Sequence, residues 1–112
     1  MTSLQLPNYL RANRKRLALS QDEVAFLLGA RSGAKVCRYE RFVRAPSLET
    51  ALAYEAIFKT SVSELFGGLY QKVERDVAIR AKIIVKRNDE DRQGAQTARK
   101  RQVLAKLASL KQ

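Results

Sequence analysis

The chain has 112 residues, of which 46% are hydrophobic, so it is long enough for one modest domain with an added segment and too short for two full domains. Its 22 Lys and Arg residues outnumber 11 Asp and Glu residues, and the net charge of +11 favours a polyanionic partner such as DNA, RNA or an anionic membrane surface. One cysteine and no histidine argue against an internal disulfide, a zinc site and the usual catalytic triads.

The sequence favours neither a membrane protein nor an enzyme. No hydrophobic run reaches the roughly 18 to 20 residues that a membrane-spanning helix needs, and the N-terminal residues lack the hydrophobic segment of a secretory signal. We therefore expect a cytoplasmic protein with no membrane partner. Because histidine is absent and no cofactor motif is present, we expect no catalytic residues, no metal and no cofactor.

The first predicted helix spans about Pro7 to Leu17. Proline suits the first turn of a helix, where its missing N–H group is not needed. The basic residues Arg11, Lys15 and Arg16 lie on this helix. Two interpretations of this basic cluster stay open: a solvated helix face, or a face that contacts phosphates.

Two short helices joined by a tight turn are predicted next. Ser20 and Glu23 have the spacing of a capping box, and Gly29 is typical of a left-handed helix end. The second of these helices is predicted over about Ser32 to Arg41. Two helices at a short glycine-containing turn form a helix-turn-helix unit, whose second helix can enter the major groove of DNA.

Two more helices complete a predicted bundle. Ser47 is the expected cap of a helix that runs to Phe58. Ser61 and Glu64 have capping-box spacing for a short fifth helix, which Gly67–Gly68 are expected to end. Five helices within about 60 residues predict an all-α fold.

The composition changes after the fifth helix, because residues 67–112 hold 12 basic and 5 acidic side chains, against 10 and 6 in residues 1–66. Amphipathic helices are predicted over about Leu69–Lys86 and Ala95–Leu110, with a polar break at Asn88–Gly94 between them. Three arrangements stay open: a hairpin, an extension of the core, or pairing with a second subunit. A frayed basic tail is the alternative for the last segment.

Four segments in order, LSQDEVAFLLG, VCRYER, PSLETALAYEAIF and VSELF, resemble the lambda-repressor/Cro-like, or XRE-type, helix-turn-helix regulators over about residues 8–66. The resemblance implies a five-helix lambda-repressor-like DNA-binding bundle in residues 1–67, followed by a basic helical extension in residues 68–112. It implies core positions at Val24, Ala25, Leu28, Val36, Tyr39, Leu48, Leu52 and Phe58.

The function implied by the resemblance is that of a sequence-specific DNA-binding transcriptional regulator, expected to be a repressor with double-stranded DNA as its partner. A homodimer is expected, with the stripes Tyr70–Ile84 and Val103–Leu110 as its candidate interface, because DNA-binding dimers present two recognition helices one turn of DNA apart. One alternative is an antitoxin-like or other protein-interaction module with the same fold. RNA binding is a third hypothesis, which the low aromatic content disfavours.

The resemblance also implies which residues meet DNA. Gln21 resembles the glutamine that contacts the DNA backbone or a base edge, and Lys35 can donate to O6 or N7 of guanine. Arg41 and Arg44 suit flanking phosphates. The complete predicted set is Gln21, Arg31, Ser32, Gly33, Ala34, Lys35, Arg38, Arg41 and Arg44.

Glu40 matches a frequent glutamate of the family. We expect an intramolecular pair with an arginine of the first helix, such as Arg14, because a carboxylate that faced DNA phosphates would be repelled.

The sequence departs from the family pattern at three places. The turn before the second helix is one residue longer, so which of residues 31–34 begins that helix and meets bases stays open. Phe42 stands where the family often has glycine, and packing against the bundle or against a partner are its two open roles. Lys59 likewise replaces a common glycine.

Overall fold

The computed structural model of the chain describes residues 5–91 and 97–109. Within these ranges the backbone forms α-helices and no strand, which confirms the all-α prediction. The helices are α1 (Leu10–Arg16), α2 (Gln21–Leu28), α3 (Gly33–Glu40), α4 (Leu48–Phe58), α5 (Val62–Leu65), α6 (Gly67–Asp91) and α7 (Thr97–Ala108).

The chain divides into two compact units, Ser3–Tyr70 and a second unit that contains Gln71–Gln112. The first unit holds α1 to α5 and all nine residues that the sequence predicts to meet DNA. The boundary falls inside α6.

The core of the first unit is formed by side chains from all five of its short helices. Tyr39 and Tyr54 meet edge to face, with ring centroids 6.3 Å apart, and Phe58 lies 5.6 Å from Tyr54 in a tilted arrangement. Such offset aromatic geometry is favourable because the positive ring edge meets a negative face. The buried core residues are Leu10, Val24, Ala25, Val36, Tyr39, Ala51, Tyr54, Phe58, Leu65 and Phe66.

Two predicted core positions on α4 are wrong. Leu48 is 73% exposed and Leu52 is 52% exposed, whereas Ala51, Tyr54 and Phe58 are buried. At 100° per residue, the three buried positions share one face, and Leu48 and Leu52 lie about 90° and 130° from its centre. The helix has apolar residues nearly all round, so periodicity alone did not identify the buried face.

The buried face of α2 is narrow. Val24 and Ala25 are buried and Leu28 packs against the core, as expected. Leu27, also apolar, is 53% exposed. The reason is again angular, because Leu27 lies about 110° from the centre of the buried face.

α1 begins at Leu10 and not at the predicted Pro7. The residues before it are held by contacts outside the helix. The Oδ1 atom of Asn8 accepts from the backbone N–H of Leu10 at 3.1 Å, and its Nδ2 atom donates to the carbonyl of Tyr39 at 3.0 Å. Asn8 is buried, so these bonds satisfy a polar group that would otherwise be costly to bury.

Serine side chains cap α4 and α5 as predicted. The hydroxyl of Ser47 accepts from the backbone N–H of Thr50 at 3.2 Å, and that of Ser61 accepts from the backbone N–H of Glu64 at 3.2 Å. The predicted second capping box is only half formed. The Glu64 carboxylate accepts from the Ser61 hydroxyl and not from its backbone N–H.

α5 ends at Leu65, before the predicted Gly67–Gly68. Phe66 is the C-cap of α5, and α6 begins at once with Gly67. The backbone N–H of Gly68 donates to the carbonyl of Leu6 at 2.9 Å, and a Cβ atom at Gly68 would lie 2.5 Å from that oxygen. The glycine is therefore needed for a close approach of two backbone segments, which sequence alone does not distinguish from a helix stop.

α6 continues through Asn88–Asp91, so the predicted polar break is wrong for these residues, and the rest of the break lies outside the described residues. Charged residues are compatible with a helix, and polarity without Gly or Pro does not end one. α7 lies within the predicted Ala95–Leu110, whose two ends fall outside the described residues. No helix in the described part of the chain is both long and apolar enough to cross a bilayer.

Candidate nucleic-acid interface

α2, the first helix of the predicted helix-turn-helix, is held at both ends by local hydrogen bonds. The hydroxyl of Ser20 accepts from the backbone N–H of Glu23 at 3.0 Å, and the Glu23 carboxylate accepts from the backbone N–H of Ser20 at 2.8 Å. This is the predicted capping box. Gly29 has φ of +78°, which confirms the predicted left-handed end of α2.

The start of α3 is fixed against α2. Ser32 is the N-cap, and its hydroxyl accepts from the backbone N–H of Ala34 at 3.4 Å. The backbone N–H of Gly33 donates to the Asp22 carboxylate at 2.9 Å. A Cβ atom at Gly33 would lie 2.7 Å from that carboxylate oxygen, so only glycine fits without a shift. Of residues 31–34, Gly33 is therefore the one that begins α3.

Glu40 and Arg14 form the predicted pair. The Nε atom of Arg14 donates to Oε2 of Glu40 at 2.6 Å, and its Nη2 atom donates to Oε1 at 3.0 Å. The Glu40 side chain is only 3% exposed. The hydrogen bond to Glu40 raises the pKa of Arg14 above its usual value, against the opposing effect of burial. A third donor, Nε2 of Gln21, lies 3.2 Å from Oε1 of Glu40.

Seven of the nine predicted DNA-binding residues are exposed. They are Arg31, Ser32, Ala34, Lys35, Arg38, Arg41 and Arg44. Gln21 is half-buried, with its amide nitrogen on Glu40. Gly33 is buried against α2, so its assignment to the DNA-contacting set is corrected: its role is close packing of two helices.

A shallow depression between α1 and the end of α3 contains residues that the predicted set omitted. We call it the α1–α3 depression; it measures about 540 Å³ and is lined, among others, by Tyr9, Arg11, Lys15, Glu40, Arg41 and Phe42. A neighbouring depression of about 270 Å³ shares Arg11, Glu40 and Arg41 with it. The sequence indicated Arg11 and Lys15 only as members of the basic cluster on the first helix. A solvated face and a phosphate-contacting face could not be distinguished without knowing which segment packs beside that helix.

Phe42 occupies a backbone position that normally favours glycine. Its backbone N–H donates to the carbonyl of Tyr39, and that of Val43 donates to the carbonyl of Arg38, the pair of bonds that closes a Schellman motif. The left-handed residue of this motif is Phe42, with φ of +64°. A side chain in this region costs roughly 1 kcal/mol or more relative to glycine. Phe42 is 47% exposed, so packing within the first unit covers only part of its surface.

No protein-family model, curated protein or solved structure matches this chain. Function therefore has to follow from the chemistry of the described residues. Among those residues, no three acidic or cysteine side chains lie close enough together to hold a metal ion.

The surface of α3 and its flanks is strongly basic. Glu40 is the only acidic residue of α3, and it is buried against Arg14. The exposed charges on α3 and its two flanking turns are all positive: Arg31, Lys35, Arg38, Arg41 and Arg44. Cys37 lies half-buried on the same helix as a free thiol. This arrangement can bind a polyanion along one short, rigidly held helix.

Proposed function

We propose that this protein is a sequence-specific, double-stranded-DNA-binding transcriptional regulator, acting as a repressor in the cytoplasm without a cofactor or a catalytic step. The observation that carries the proposal is the charge arrangement of α3. Lys35 and Arg38 are exposed on the helix, whereas its one carboxylate, Glu40, is paired inside the protein. A helix that faces phosphates needs this separation of charges.

We further propose that the first unit has the five-helix lambda-repressor-like fold. Five helices lie in the expected order, and α2 and α3 are joined by the short turn Gly29–Ser32. The bond from Gly33 to Asp22 and the shared contact of Gln21 and Arg14 with Glu40 hold α3 against α1 and α2. A recognition helix needs such support, because base contacts depend on its fixed orientation.

The proposed mechanism has two stages. The basic surface first attracts the duplex electrostatically, and Arg41 and Arg44 then contact backbone phosphates that set the register. α3 enters the major groove, where the Lys35 ammonium donates to guanine O6 or N7 and Ser32 contacts a base or phosphate. Gln21 contributes at the edge of the same surface, because its amide is held by Glu40.

The experiment that tests the function is selection of bound sequences from a random pool of DNA duplexes. We expect enrichment of one sequence over the pool. A palindromic sequence with half-sites about one helical turn apart would support the proposed homodimer, formed through the Tyr70–Ile84 and Val103–Leu110 stripes. No enrichment from a pool that the protein binds would contradict sequence-specific recognition, and no binding to any duplex would contradict DNA binding altogether.

Two single substitutions separate base contact from phosphate contact. Lys35→Ala should lower the affinity for the selected duplex by about tenfold and the affinity for scrambled duplexes by less. The reason is that a base contact contributes about 1–3 kcal/mol of discrimination. Arg44→Ala should lower affinity for both duplexes alike, since phosphates carry no sequence information. Fluorescence anisotropy titrations of both duplexes measure these effects. Equal losses on the two duplexes for Lys35→Ala would refute its base-reading role.

A second candidate function, an antitoxin-like or other protein-interaction module, is favoured by one observation. Phe26 on α2 is 82% exposed and Leu48 on α4 is 73% exposed. Large exposed apolar side chains are more common at protein–protein contacts than elsewhere on a surface. Affinity capture from lysate, with and without nuclease, distinguishes the two functions, because a protein partner would survive nuclease treatment.

A further inference from the structure

The α1–α3 depression brings three exposed cations around one site. Arg11 and Lys15 come from α1, and Arg41 follows the last residue of α3. Among the described residues, Glu40 is the one acidic side chain that lines the depression, and it is 3% exposed and already bonded to Arg14 and Gln21. The accessible charge of the depression is therefore positive, and an anion is the ligand that it fits.

A half-exposed aromatic residue, Phe42, lines the same depression. The Phe42 ring has no hydrogen-bonding group, so it is not a ligand for the anion. It nevertheless stands at φ of +64°, where glycine would be free of strain. A strained backbone position occupied by a half-exposed aromatic residue points to a contact that the isolated chain leaves unfilled.

The two halves of this site match the repeating unit of a DNA backbone. Along each strand, a negatively charged phosphate alternates with a deoxyribose, whose C–H groups present an apolar surface. Arg11, Lys15 and Arg41 suit the phosphate, and the ring of Phe42 suits the adjacent sugar.

We propose that the α1–α3 depression binds one phosphate and its neighbouring deoxyribose of a DNA duplex, with Arg11, Lys15 and Arg41 on the phosphate and Phe42 packed on the sugar. This inference rests on the proposed DNA-binding function and extends the interface from α3 to α1. The contact positions the duplex and reads no bases.

Phe42→Gly is the sharpest test, because glycine suits the left-handed backbone while removing the ring. The affinity of this variant should fall about fivefold to tenfold for selected and scrambled duplexes alike, because one aromatic contact is lost. The dependence of affinity on salt should stay unchanged, because no counterion is displaced by an apolar contact. Phe42→Asn, which also tolerates this backbone, should behave in the same way.

The matched control is Lys59→Gly. Lys59 is a second non-glycine residue in the left-handed region, with φ of +55°, and it ends α4 and does not line the depression. Lys59→Gly should raise the melting temperature by about 2–5 °C and bind DNA within about twofold of the wild type. Circular dichroism of every variant establishes that it is folded at the titration temperature.

Arg11→Gln provides an independent readout, because Arg11 is exposed and its replacement leaves the core intact. This variant should lose about threefold to tenfold in affinity for both duplexes. The slope of the logarithm of its association constant against the logarithm of the salt concentration should be shallower by about one. Wild-type affinity in both Phe42→Gly and Arg11→Gln would overturn this inference alone. A Phe42→Gly loss confined to the selected duplex, or a change in its salt slope, would also overturn it. A wild-type protein that binds neither duplex would overturn the proposed function as well.

Discussion

Glu40 shows how a single residue can serve the interface without meeting a ligand. Its carboxylate accepts from Arg14 and Gln21, and its side chain is 3% exposed. The acidic charge is thereby removed from the surface of α3, while α1, α2 and α3 are joined at one point. In the proposed complex with DNA, the Glu40 carboxylate therefore does not oppose the phosphates.

We predict that Glu40→Gln lowers the free energy of unfolding by about 3 kcal/mol, because it leaves the Arg14 guanidinium buried without its counter-charge. Denaturant titration measures the loss. The exposed Glu49 is the control, and Glu49→Gln should cost less than about 0.5 kcal/mol. Similar values for the two variants would contradict a structural role for the pair. Since hydrogen bonding to Glu40 raises the pKa of Arg14, the stability that protonated Arg14 contributes is fully present just below the ordinary arginine pKa, and it is lost as the pH rises through the raised value.

Tyr54 supports a second residue-scale prediction. Its hydroxyl is buried and makes no hydrogen bond to the described residues. Burial is the main cause that raises the pKa of Tyr54, and the negative charge of Glu40 raises it further. At neutral pH, Tyr54→Phe should change the free energy of unfolding by less than about 1 kcal/mol, because no hydrogen bond is lost.

Above pH 10 the wild type should lose stability relative to Tyr54→Phe. The tyrosine of the unfolded chain releases its proton at its ordinary pKa of 10.0, whereas the folded protein retains it. The stability that this tyrosine confers is present below pH 10 and is lost as the pH rises towards the raised pKa, by about 1.4 kcal/mol per pH unit. Denaturant titrations at pH 8 to 11 measure the divergence, with Tyr70→Phe, which removes an exposed hydroxyl, as the control. Parallel curves for wild type and Tyr54→Phe would contradict the burial effect.

At the scale of elements, the ends of α2 were predictable from the sequence because they are held by neighbouring residues. The Ser20–Glu23 capping box and Gly29 involve groups no more than a few positions apart. The start of α3 was predictable only to within residues 31–34, because the bond between Gly33 and Asp22 that holds it joins residues 11 positions apart.

We predict that Gly29→Ala destabilises the first unit by about 1 kcal/mol. The backbone at Gly29 has φ of +78°, and nothing lies within 4 Å of an added Cβ atom, so the cost comes from the backbone alone. Gly29→Asn should recover part of the loss, because asparagine tolerates the left-handed region. Thermal unfolding of the three proteins measures the series. An alanine variant as stable as the wild type would contradict the backbone argument.

At the scale of the whole molecule, the net charge of +11 makes salt dependence the most direct test of DNA binding. If about six phosphates are contacted, the logarithm of the association constant should fall with the logarithm of the salt concentration with a slope of about −5. Anisotropy titrations between about 50 and 200 mM potassium chloride measure this slope. A slope shallower than about −2 would contradict a binding mode dominated by phosphates.

Several features were predictable before the fold was known: the all-α class, the order of the helices, the serine caps, the pairing of Glu40 with an arginine of the first helix and the positive charge around α3. These features follow from hydrogen bonds between near neighbours, from side-chain spacing along a helix and from the electrostatic cost of a misplaced carboxylate. All of them except the pairing of Glu40, which joins residues 26 positions apart, can be evaluated from residue types and short distances along the chain.

Three other features became known only from the packing of the helices: which apolar face of α4 is buried, why Gly68 must be glycine, and that Arg11 and Phe42 line one depression. The physical reason is the same in each case. A helix that is apolar nearly all round has several faces that could be buried, and a glycine or an arginine has several plausible roles. The segment that packs opposite selects among them, and it lies tens of residues away in the sequence.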